Sequence, residues 1–195
     1  MSHPTLETKS AAVINLILIS ILFFSIMVQT SNINKPEIKK DIPFPIINKK
    51  ITKNKSIGNI DTQRIINADQ EPQNWLSHGR DYNEQRYSPL KRINKDSIGQ
   101  LELEWSIDMD TTRGLEATPI VDNGIMFVTS AWSVVHAVNA KTGESLWSYD
   151  PEVPKIWSKK ACCDVVNRGA AVWKGNVFLA TLDGRLIKLK AETGK

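Results

Sequence analysis

The chain has 195 residues, 41% hydrophobic and 24% charged, with a formal net charge of +4 and two cysteines. That is the composition of a globular protein, with room for one ordinary domain or a piece of a larger one. The positive charge does not point to nucleic acid: seven lysines fall between Lys35 and Lys55, in a polar tract that reads as a solvated tail.

The first element is "AAVINLILISILFFSIMV", Ala11 to Val28, uncharged and apolar apart from Asn15, Ser20 and Ser25. A secretory apolar core runs about 7–15 residues and a spanning helix about 17–25, so this segment sits between the two. No good small-residue cleavage site follows it, and the lysines beyond it run against the positive-inside rule for an exported C-terminal side. Residues 1–30 are therefore expected to be a signal peptide or a membrane anchor built on a hydrophobic helix. Residues 31–66, rich in Asn, Lys, Ile and Pro without helical or strand periodicity, are expected to be a linker. Order is expected from residue 67, where Trp75, Tyr82 and Tyr87 give an irregular stretch something to bury.

From Leu101 the texture changes to short β-prone runs broken by Gly, Asn and Asp. "VDNGIMFVTSAWSVVHAVNAKTG" (Val121–Gly143) aligns without a gap on "VWKGNVFLATLDGRLIKLKAETG" (Val172–Gly194). The offset is constant, carrying Gly124 onto Gly175 and Gly143 onto Gly194. Val121, Phe127, Ala140 and Thr142 also meet identical residues, and apolar positions alternate as half-buried strands require. A second echo sets "ELEWSID" (Glu102–Asp108) over "ESLWSYD" (Glu144–Asp150), with Trp105 over Trp147.

The repeat unit is thus about four strands ending on a Trp-bearing strand, the layout of a propeller blade. The expected fold is all-β: a partial β-propeller holding the last strand of one blade, a full blade from about Glu116 to Asp150, and most of the next. Closure takes about 4–8 blades, so residues 67–195 are expected to be the N-terminal part of a longer propeller.

Three features carry candidate chemistry. Cys162 and Cys163 are adjacent in "KKACCDVVNRG". A staple gains stability by closing a long loop, so this pair does little for global stability. The histidines show no metal-ligand spacing with it, and a C-x-x-C motif is absent. Two buried thiols remain one reading. The other, in an oxidising compartment, is a disulfide between neighbours whose flat, rigid, apolar ring walls a planar ligand. Arg168, before a Gly at a strand lead-in, can present its fork to a carboxylate. Glu116, in "TTRGLEATPIV", begins the first complete blade, at the end of a propeller where ligands collect.

"WLSHGRDYNEQRYSPL", "RGLEATPIV", "LWSYDPEVP", "CCDVVNRGAA" and "LDGRLIKLKAETGK" resemble the N-terminal part of the pyrroloquinoline quinone (PQQ)-dependent alcohol dehydrogenases. The wording of "YDPEVP" and "LDGRLI" is nearer the quinohaemoprotein members than the methanol dehydrogenases. The resemblance covers about Trp75 to Lys195, and its most specific string is the one with both cysteines.

It implies an exported, eight-bladed propeller with PQQ and Ca²⁺ at its axis, oxidising a small alcohol to an aldehyde by hydride transfer. It implies that Cys162 and Cys163 form a disulfide ring stacked on one face of PQQ. In the same way Arg168 pairs with the carboxylate and carbonyl edge of the cofactor, and Glu116 hydrogen-bonds its rim. The family's calcium ligands and aspartate base come from later blades. No catalytic residue or metal ligand is therefore expected among residues 1–195, and Asp164 is not promoted to the base.

The chain alone is expected to be inactive. Its full-length parent would pass electrons to cytochrome c or a quinone, some members carrying haem c. It would be periplasmic, soluble or anchored to the inner membrane through residues 11–28. The competing reading, from the Trp-containing repeats alone, is a non-catalytic propeller scaffold of the outer-membrane-assembly type. The adjacent cysteines, Arg168 and Glu116 separate the two, because a scaffold has no use for a planar-ligand wall.

Overall fold

The computed structural model describes residues 56–109 and 111–195. The apolar segment 11–28 and most of the expected linker lie outside the described residues. Among the described residues no helix is long and apolar enough to cross a membrane.

The alternating runs pair into two antiparallel sheets. In the first, β1 (Ile120–Asp122), β2 (Ile125–Thr129), β3 (Val135–Asn139) and β4 (Ser145–Tyr149) follow one another in chain order. The β1–β2 connection is the two-residue turn Asn123-Gly124, both residues at positive φ (51° and 83°), the conformation that matches the twist of a hairpin. After β5 (Cys162–Val165), the second sheet holds β6 (Ala171–Trp173), β7 (Asn176–Ala180) and β8 (Leu186–Lys190). Lys174-Gly175 repeats the positive-φ turn. The two sheets are the blades expected from the repeat.

Equivalent strands bury opposite faces. β2 buries Phe127 and Thr129, whereas β7 buries Val177 and Leu179, which align with Met126 and Val128 one residue out of phase. A one-residue change of phase swaps the face of a strand. Two blades stacked side by side in the same sense must do this, because the right face of one covers the left face of the next. Ile120, Phe127, Val135 and Ala137 thereby share one core with Val172, Val177, Leu179 and Leu189. Val135 is fully buried in that interface, while its repeat partner Leu186 is 74% exposed on the outer face.

Each blade is locked to its predecessor by a tryptophan. Trp147, on β4, donates its indole N–H to the Ala191 carbonyl at 3.0 Å. Its ring lies against the Thr193-Gly194 turn of the second blade, so closely that a Cβ on Gly194 would meet Cε3 at 2.6 Å. Trp105 makes the same approach to Gly143 of the first blade, again 2.6 Å from a built Cβ. The segment around Trp105, expected to be a strand, has none assigned. A strand is defined by its ladder, and no strand of either described sheet pairs with it.

The expected start of order at residue 67 needs correction. Residues 56–66 belong to the folded unit. Asp61 caps the short helix α1 (Thr62–Ile66), its Oδ1 accepting from Arg64 N at 2.9 Å, and Ile60 is completely buried. Lys174 N donates to the Ile60 carbonyl and Gly175 N to the Gly58 carbonyl, at 2.9 and 2.8 Å. Asp122, also fully buried, accepts from Gly58 N at 3.0 Å and from Arg64 Nη2 at 2.7 Å. Arg64 bonds Glu71 as well. That hydrogen bond, the largest influence, and the Asp122 carboxylate hold the guanidinium protonated more firmly than usual against the opposing effect of burial. Farther on, Trp75 pairs with Val121 as an added rung on β1.

Substitution of two glycines separates backbone strain from the tryptophan contact. Gly124→Ala faces open space and should cost about 1 kcal/mol for its positive φ. Gly143→Ala must also displace the Trp105 indole and should cost about 2–4 kcal/mol. Urea unfolding midpoints of the two variants compare them; equal losses would mean that the indole does not bear on Gly143.

Candidate functional site

The site residues come from two stretches that the blades bring together. Glu116 precedes β1, and Arg168 follows β5 in the connection to the second blade. Val165, at the end of β5, is completely buried and anchors that connection. Past it, the Arg168 carbonyl accepts from Thr118 N at 3.3 Å, tying the loop to the lead-in of β1. Gly169 adopts a φ of 134°, and a Cβ there would stand 3.3 Å from the Thr118 carbonyl oxygen. The lead-in of β1 and the loop therefore run close enough to share side-chain contacts.

The four residues singled out from the sequence meet here. Arg168 Nε donates to Glu116 Oε2 at 3.2 Å, with the side chains 68% and 45% exposed. An ion pair so open contributes little to stability, so its interest lies in what it presents to solvent. Cys162 and Cys163 are both exposed thiols, their Sγ atoms 2.7 Å apart. Contact with the Cys162 thiol is the main reason that the Cys163 pKa is raised; the Arg168 guanidinium, hydrogen-bonded to Cys163, pulls the other way. Both cysteines stand at the surface of the described residues, outside the core that the two blades share. Asp164, at a φ of 66°, turns away to pair with Arg113 Nη1 at 2.8 Å.

Chemically the cluster offers a guanidinium, a carboxylate and two soft, weakly polar sulfur atoms, all reachable from solvent. This donor set fits a flat, multiply anionic aromatic ligand. The arginine fork suits carboxylate or carbonyl oxygens, the glutamate suits an N–H or O–H on the ligand's rim, and the sulfurs suit its π face. Beside Arg168 opens a cleft of about 810 Å³, lined also by His78, Tyr82, Thr118, Ile120 and Trp173. The cysteines and Glu116 lie outside that lining. Among the described residues no group of three or more His, Cys, Asp or Glu side chains stands ready for a metal ion.

One residue of the cluster was missed from the sequence. Asn167 Nδ2 donates to Ser133 Oγ at 3.1 Å and to the Ala180 carbonyl at 2.9 Å. Its Oδ1 accepts from Gly169 N at 3.0 Å. The available signal was an asparagine two residues before a glycine, the pattern of an Asx turn. That pattern does not reveal the contacts with two other loops.

The PQQ family model "Glucose/ethanol/alcohol dehydrogenase, beta-propeller domain" matches residues 75–195. The dehydrogenase subunit of alcohol dehydrogenase (quinone) from Komagataeibacter europaeus is 56% identical over 133 residues, 68% of this chain and 18% of that protein. The 1-butanol dehydrogenase (cytochrome c) of Thauera butanivorans is 55% identical over 121 residues, 62% of this chain and 18% of its own length. Among solved structures, quinohemoprotein alcohol dehydrogenase ADHIIG from Pseudomonas putida HK5 superposes with a TM-score of 0.71 at 52% identity. That match covers 73% of this chain and 21% of the other. The chain thus spans about a fifth of the length of these relatives. The matched stretch takes in both blades and every residue of the cluster, and by it the chain belongs to the β-propeller family of the PQQ-dependent glucose, ethanol and alcohol dehydrogenases.

Proposed function

We propose that the protein carrying this chain is an exported PQQ-dependent dehydrogenase that oxidises small alcohols to aldehydes. The observation that carries this reading is the meeting of Glu116, Arg168 and the cysteine pair in one exposed cluster. PQQ held by these residues would supply the two-electron oxidation of the alcohol, which is the cofactor's own chemistry.

This chain's own residues bind and orient. Arg168 neutralises a cofactor carboxylate and fixes the carbonyl edge. Glu116 holds the guanidinium through Nε, which leaves the rest of the fork for the ligand, and contributes a hydrogen bond to the rim. Cys162 and Cys163 give one stacking wall; in the periplasm they close into a disulfide by thiol–disulfide exchange, their two electrons and two protons passing to a disulfide oxidant of that compartment, which leaves as the dithiol. Joined in this way, the sulfurs no longer exchange protons, so the wall carries no titratable group. The wall and the β1 lead-in exclude water from one side of the ligand.

Calcium and the catalytic base would come from later blades, as the family resemblance implies, so the described residues serve binding and orientation rather than turnover. The relatives are named for quinone and cytochrome c acceptors, and either is the proposed electron sink here, through haem c where the parent carries it. Periplasmic location, free or held at the inner membrane, rests on the apolar segment 11–28 and on this chemistry.

Two measurements test the assignment. Arg168→Ala, in the protein carrying this chain, should weaken PQQ binding by about 2 kcal/mol, roughly 30-fold. The low end of the range for a lost charge partner is the expectation, the guanidinium being 68% exposed in this chain. Unchanged affinity in a PQQ titration would remove Arg168 from the site. Intact mass of the exported protein without reductant should be lower by two hydrogens than with it; equal masses would leave the cysteines as thiols.

A further inference from the structure

The side chain of Arg168 is long and exposed, yet the assignment above asks it to meet a rigid ligand at a fixed place. The flexible end of such a side chain can be preorganised only if its base is fixed. Its base is fixed here chiefly through the residue before it. Asn167 reaches the β2–β3 turn of the first blade through Ser133 Oγ and the end of β7 in the second blade through the Ala180 carbonyl. It also holds the peptide just beyond Arg168 through Gly169 N.

The anchor is itself built in. Ser133 is completely buried, at a φ of 62° in the turn containing Trp132, and its Oγ accepts a second hydrogen bond from Leu182 N at 3.3 Å. Thr129, 1% exposed, donates its hydroxyl to the Asn167 carbonyl at 3.3 Å. The amide thus uses both donor hydrogens and its acceptor on three separate pieces of backbone or side chain.

We infer that Asn167, anchored by Ser133, is a positioning residue that sets the register of Arg168 against the cofactor by clamping its loop to both blades at once. This rests on the assignment of Arg168 to PQQ. The clamp requires an amide. Aspartate has the same shape, but its carboxylate cannot donate to the Ala180 carbonyl and would repel it. Alanine leaves the loop held at Thr118 and Thr129 only. Because the effect runs through Arg168, it should disappear when Arg168 is already gone, which a merely structural role would not do.

The test is a double-mutant cycle read by equilibrium PQQ binding to the apoprotein carrying this chain, followed by quenching of tryptophan fluorescence. Asn167→Ala should weaken binding about tenfold in the native background and less than about twofold in the Arg168→Ala background. Asn167→Asp should lose at least as much as Asn167→Ala. If Asn167→Ala prevents folding, Ser133→Ala, which removes the anchor together with the acceptor of Leu182 N but keeps the Asn167 amide, should show the same disappearance at about threefold. Equal losses in both backgrounds, or no loss where Arg168→Ala alone weakens binding, would overturn the clamp and leave Arg168 in place. No effect of Arg168→Ala would overturn the cofactor assignment and the clamp with it.

Discussion

An indole lying flat on a glycine turn is the contact from which the rest of this structure follows. Trp147 leaves the last strand of one blade and covers the Thr193-Gly194 turn of the next, its N–H bonded to the Ala191 carbonyl. A β-sheet blade has two faces to bury and no closed edge, so it gains stability only from correctly phased neighbours. The tryptophan fixes that phase. With it fixed, Phe127 meets the face bearing Val177 and Leu179, and the loop between blades returns beside the first strand. Only then do Glu116 and Arg168, far apart in sequence, come within 3.2 Å.

The division of labour in the cluster is one of burial. The residues that would touch a ligand (Glu116, Cys162, Cys163 and Arg168) are exposed, and their mutual contacts are worth little to the fold. The residues beneath them, Val165, Thr129 and Ser133, are buried almost completely. Loops supported in this way can carry reactive and charged groups without costing the blades their core. The scaffold reading, which rested on the tryptophan repeats alone, loses its footing because the chain belongs to a dehydrogenase family.

Much of this was legible in the sequence, for identifiable reasons. The gapless repeat from Val121 to Gly194 gave two blades because strand periodicity and turn glycines are local signals. The adjacent cysteines and Arg168 were conspicuous because adjacent cysteines are rare and the string around them is specific. Residues 56–66 were misplaced in the linker because α1 has only five residues and Ile60 is buried by contacts with a distant blade, which no local pattern announces. The segment around Trp105 was read as a strand from its likeness to the Trp147 strand, but a strand also needs a neighbour. Asn167 was passed over because its amide bonds reach Ser133 and Ala180, residues of other loops.

The backbone bonds from Gly58 and Ile60 to the Lys174-Gly175 turn have a consequence for the order of events in time. Residues 56–66 are synthesised before either blade, yet the backbone groups that hold Gly58 and Ile60 lie on the second blade and are made well after them. Synthesis at about 5–20 residues per second leaves residues 56–66 waiting several seconds with Ile60 in water. Contacts between such distant parts of a chain are slow to form. In this molecule residues 56–66 are the seal set across two blades made after them.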